Sequence, residues 1–117
     1  MRIDISGTTE IGGFIAACLV DSNTGLMLAS EGGGRLDLEA VAALNTNFLR
    51  AKLDAIDALG LNDGVEDILI TLGKQIHFVR PLEKSNGAFL YVALDKKTAN
   101  MGMARLQVKK IESSLSL

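Results

Sequence analysis

At 117 residues the chain is long enough for one domain and too short for two, and we read 1–117 as a single unit. Nearly half its residues are apolar, yet no run approaches the ~20 uninterrupted apolar residues of a membrane-crossing helix. Twelve basic against fourteen acidic side chains leave a net charge of −2, which excludes the concentrated basic face of a nucleic-acid binder.

Residues 1–10 carry Asp4 and Glu10 with no apolar block and no helical periodicity, so neither a signal peptide nor a helix is expected there. They read as a loose lead-in arm. With one cysteine, Cys18, no internal disulfide can form, and the expected compartment is a reducing cytoplasm. Ile11 to Asp21 is apolar on both faces, as a strand covered above and below should be. Ser22-Asn23-Thr24-Gly25 supplies turn chemistry, and Leu26 to Ser30 returns as the second strand of a hairpin. Gly32-Gly33-Gly34 interrupts regular structure.

A long helix is expected over Leu36 to Leu59, with Asp37 as its N-cap and Gly60 as its stop. After the Asn62-Asp63-Gly64 turn, Val65 to Leu72 alternates. Ile68, Ile70 and Leu72 fall on one face, and Asp67, Leu69 and Thr71 on the other. Gly73-Lys74 turns the chain into a strand from Gln75 to Leu82, near whose end Pro81 should lie. Glu83 to Gly87 is a polar loop, and Ala88 to Leu94 is apolar enough to run inside the sheet. Met101, Ala104, Val108, Ile111 and Leu115 then draw one stripe of a final helix. Short links between consecutive strands demand antiparallel pairing, so the fold class is α+β, an antiparallel sheet covered by helices.

The long helix has an unusual distribution of apolar residues. At ~100° per residue, Val41, Leu44, Phe48 and Leu59 form one stripe and Leu38, Leu49, Leu53 and Ile56 another. Asn45 and Lys52 run between them, and Thr46, Asn47, Arg50, Asp54 and Asp57 take the solvated side. A surface helix needs a single apolar stripe. The second stripe is left for another surface, most simply a second copy of the chain.

Candidate chemistry is sparse. His77 is the only histidine, and a metal site needs three or four converging ligands. Cys18 sits in an apolar strand, away from the electropositive setting of a reactive thiolate. The triple glycine precedes a helix, but Asp37 and Glu39 place negative charge where a phosphate would bind. Glu66 and Asp67 point to opposite faces of a strand and cannot converge on one substrate. The residues therefore point to an interaction module and not to an enzyme, with no catalytic, metal-binding or cofactor-binding residues.

GGFIAACLVDSNTGLMLAS, the helix ending DALGL, VEDILITLGKQIHFVRPL and GAFLYVALDKKTANMGMARLQVKKIE together resemble the roadblock family, named for a dynein light chain. The likeness spans Ile11 to Glu112. It implies a roadblock/profilin-like sandwich: a five-stranded antiparallel sheet with helices on both faces. It also implies a homodimer in which long helices pack together and third strands pair edge to edge. Carried onto this chain, the long helix is Asp37 to Leu59 and the pairing edge Val65 to Leu72, with Val65, Asp67, Leu69 and Thr71 at the seam. On the helix we place Val41, Leu44 and Phe48 with the Asn45–Lys52 line towards the partner, because polar groups near a seam can fix register. Family members regulate or scaffold small Ras-like GTPases, or act as adaptors in larger complexes, without catalytic triad or metal. The implied partners are thus a second copy and a small Ras-like GTPase, with neither nucleic acid nor membrane. A small-ligand sensor is the remaining alternative. One departure is plain: members open with a helix that this chain lacks, which should leave the sheet face under the last helix partly open.

Overall fold

The structure, a computed structural model, describes residues 1–85 and 87–117. Asn86, within the expected polar loop, lies outside the described residues. A short 3-10 helix, Ser6–Glu10, precedes β1 (Phe14–Asp21), β2 (Leu26–Gly32), α1 (Leu38–Ala58), β3 (Ile68–Thr71), β4 (Gln75–Pro81), β5 (Ala88–Asp95) and α2 (Met101–Ser113). The strands form one antiparallel sheet in the order β2-β1-β5-β4-β3. This is the α+β sandwich expected.

β5 lies at the centre, and seven of its eight residues are buried, as its continuous apolar run requires. Two cores follow from the pleat. On one face Cys18, Val20, Val79, Phe89, Tyr91 and Ala93 meet Ala42 and Leu49 of α1. On the other Ala17, Leu19, Phe78, Leu90 and Val92 meet Ala104 and Val108 of α2. The Asp37 carboxylate accepts a hydrogen bond from the Ala40 N–H at 3.2 Å and caps α1, and Asn100 does the same for α2 through the Met103 N–H at 3.0 Å.

Four expectations need correction. β1 begins at Phe14 and not at Ile11, because Gly13 turns the chain at φ +82. A Cβ there would lie 2.8 Å from the Asp95 carbonyl oxygen. β3 spans only Ile68–Thr71, because the residues before it are drawn into a loop anchored on Asp67. Thr46 is buried, not solvated; its hydroxyl donates to the Ala42 carbonyl at 2.7 Å, so its polarity is satisfied within the helix. Leu53, grouped on one stripe with Leu49 and Ile56, does not share their burial and is exposed at the end of the sheet.

The lead-in arm is not loose. Ile5, Thr8 and Ile11 are buried beside α2, and Arg2 pairs with Ser116 through two backbone hydrogen bonds of 2.7 and 3.0 Å. The 3-10 helix thus packs against β1, β2 and α2 and covers part of that sheet face. A surface cleft lined by Met1, Ile3, Asp4, Ala29 and Ser114 remains beside it.

Candidate functional site

The stripes of α1 separate in space much as their angles require. Ala42, Leu49 and Ile56 are buried against the sheet. Thr46 and Arg50 lie on the flank towards β2: Thr46 Oγ1 approaches Gly25, and Arg50 donates to the Ser22 carbonyl and, at 2.9 Å, to that of Asn23. Val41, Asn45, Phe48 and Lys52 therefore take the opposite flank, above the β5-β4-β3 half of the sheet. On and above that flank Leu44 is 67% exposed and Phe48 42%, with Ala51 and Ala55 exposed beside them. This is the second stripe, uncovered in the single chain.

The sheet beside that stripe is also apolar. Ile68, Val79 and Tyr91 form one cross-strand row and Ile70, His77 and Ala93 the next, both on the α1 face. Ile68, Ile70 and His77 are only half-buried. β3 is the sheet edge, and its outer N–H and C=O groups face no strand among the described residues. Stripe, floor and edge adjoin one another.

The residues assigned to the interface from sequence do not all share this one surface. Val41, Leu44, Asn45, Phe48 and Lys52 share the flank just described, although the Asn45 amide is already used, donating to the Val41 carbonyl at 2.9 Å. Leu69 and Thr71 are on the β3 edge but turn to the α2 face. Val65 lies apart, in a cleft with Leu49, Arg50 and Leu53 at the end of the sheet. Asp67 is taken up within its own chain. Its Oδ2 accepts from Arg80 Nη1 at 3.1 Å and from Arg105 Nε at 2.9 Å, and its Oδ1 from Arg105 Nη2 at 3.0 Å.

Sequence reasoning missed the rest of that network. Arg80 and Glu112, 2% and 1% exposed, meet through Nε and Oε1 at 2.7 Å, and the other Glu112 oxygen accepts the Glu83 N–H at 3.2 Å. Glu112 stands one helical turn past Val108 on the core stripe, and Arg80 shares the face of Phe78. Two opposite charges at core positions were the available signal.

Burial pushes the Cys18 thiol up to about 12, where it stays protonated and unreactive at neutral pH. Among the described residues no group of three or more His, Cys, Asp or Glu converges as metal ligands would, and no helix is long and apolar enough to cross a membrane.

No protein-family model and no curated protein matches the chain. Solved structures do. MglB of Myxococcus xanthus matches with a TM-score of 0.79 at 22% identity, over 90% of this chain and 82% of that one. The Roadblock/LC7 domain from Streptomyces avermitilis matches at 0.81 and 18% identity, over 93% and 88%. The gliding protein MglB from Thermus thermophilus matches at 0.77 and 21%, over 92% and 79%. Likeness at these identities speaks for architecture alone, and the architecture is plain: the chain has the roadblock fold.

Proposed function

We propose that the protein is a non-enzymatic homodimer that binds a small Ras-like GTPase and regulates or scaffolds it in the cytoplasm. The observation that carries this reading is the exposed Leu44–Phe48 stripe beside the half-buried Ile68, Ile70 and His77 floor and the β3 edge. An apolar helix face next to an open sheet edge is costly in water and prone to pairing. A two-fold arrangement satisfies both at once: each long helix covers the other copy's floor while the two β3 strands extend one sheet. The roadblock fold supports the GTPase partner by resemblance.

Regulation here needs no inserted arginine. The Arg50 guanidinium is held by the Ser22 and Asn23 carbonyls, and that of Arg105 by both Asp67 oxygens. The protein acts instead by holding the GTPase switch loops, which order and disorder with the γ-phosphate. The small-ligand alternative is disfavoured by tight packing between α1 and the sheet, where Cys18, Val20, Ala42 and Ala93 are fully buried.

Two measurements test the reading. Sedimentation at micromolar concentration is expected to show a dimer. Pull-down with the small Ras-like GTPase encoded nearest to this chain, loaded with GDP or with a GTP analogue, is expected to show binding in one state. A dimer that binds the GTPase in neither state supports the adaptor reading instead. If turnover is stimulated, Arg50→Ala should leave it intact; loss by about a thousandfold or more would instead make Arg50 an arginine finger.

A further inference from the structure

We propose that Arg105 is a positioning residue for self-association: from the surface of α2 it fixes Asp67, and through Asp67 the register of the β3 edge. The proposal rests on the reading above that β3 is the pairing edge.

β3 is four residues long and bonded on one side only. It follows a stretch, 59–66, that is exposed apart from Val65. So short a ladder is weakly specified, and a slip of one residue would turn every side chain to the opposite face. Asp67, the residue immediately before the strand, counters that slip. In the observed register its carboxylate lies on the α2 face, with both oxygens bound to guanidinium groups. A one-residue shift would carry it to the α1 face, out of reach of both guanidinium groups, and would leave Nη1 of the buried Arg80 without its acceptor, which is unfavourable.

The clamp has a rigid side and an accessible side. Arg80 is immobilised by Glu112, and Glu112 by the Glu83 N–H, so this side belongs to the core. Arg105 is 57% exposed and binds Asp67 with two parallel bonds of 2.9 and 3.0 Å, the bidentate geometry that fixes orientation. It can be removed without opening the core. Two copies can pair through β3 only if both edges present the same register, so a lock on Asp67 acts on the dimer although Arg105 lies on α2, on the opposite face of the sheet from the helix stripe.

The test uses the full chain with Arg105→Ala and Arg105→Lys. Amide exchange of Ile68–Thr71 is followed with the β5 amides as internal reference, alongside the dimer dissociation constant from sedimentation equilibrium. For R105A, exchange in β3 should rise by about fivefold, the upper end for a partly exposed ion pair, and the dissociation constant by up to about 25-fold because both copies lose the clamp. The β5 amides should not change, and R105K should recover part of both effects through its remaining charge. Unchanged β3 exchange overturns the clamp. Faster exchange with an unchanged dissociation constant overturns the positioning role alone. A monomeric wild-type chain overturns the pairing reading and this role with it.

Discussion

The Tyr91 hydroxyl and His77 Nδ1 stand 3.3 Å apart, with the two rings edge to face at a centroid separation of 5.4 Å. On its other side His77 Nε2 lies 2.8 Å from Gln75 Oε1. An amide oxygen only accepts, so Nε2 carries the proton and Nδ1 receives the Tyr91 O–H. The arrangement requires a neutral imidazole and a protonated phenol. Burial supplies both, lowering the His77 pKa and pushing the Tyr91 phenol up to about 12.

A pH dependence follows from His77. Below its ordinary value of 6.5 the unfolded chain takes up a proton that the folded chain resists. The contribution of this site is therefore fully present above 6.5, shrinks as pH falls through that value, and stops changing once the folded imidazole protonates. Thermal unfolding of wild type against His77→Phe between about pH 7.5 and 5 should show a steeper decline for wild type. Parallel profiles would show that His77 titrates freely.

The Arg80–Glu112 pair should be expensive to break and cheap to replace. Glu112→Ala leaves a buried guanidinium short of a partner and is expected to cost ~3–5 kcal/mol in denaturant unfolding. Arg80→Leu with Glu112→Leu removes both charges and should recover much of that loss, since a packed apolar pair avoids the desolvation cost.

Leu44→Asp and Phe48→Asp should fold and fail to dimerise. Both side chains are already exposed in the single chain, so a carboxylate there stays hydrated in the monomer. Burying it in a seam would cost several kcal/mol or more. Circular dichroism should match wild type while sedimentation gives a monomer. A dimer that survives both substitutions would place the interface elsewhere.

Cys18 should resist thiol reagents in the native state. It is fully buried, its strand pairs with β2 and β5, and its thiol is protonated up to about pH 12. Modification should occur only at the rate of unfolding or local opening, and denaturant should raise it to that of a free thiol.

Periodicity, turn residues and caps were enough to read the seven principal elements in chain order, their antiparallel arrangement and the doubled apolar surface of α1. Each of these depends on neighbours within a turn or a pleat, and such spacings are written directly in the chain. Details that depend on long-range contacts were not. Thr46 looked solvated because its polarity is cancelled by a carbonyl one turn away, which composition does not reveal. The arm of residues 1–10 looked loose because its anchor, Ser116, lies at the far end of the chain. The pairing of Asp67 was hidden because Arg80 and Arg105, 13 and 38 positions away, are invisible to local pattern.

The doubled grease of one long segment is thus a property of order along the polymer, fixed before any folding. Which charged groups are spent internally, and which edge is left bare, emerged only once sheet and helices met in three dimensions. Charges and hydrogen bonds act over a few ångströms of space, and chain separation says little about which groups come that near.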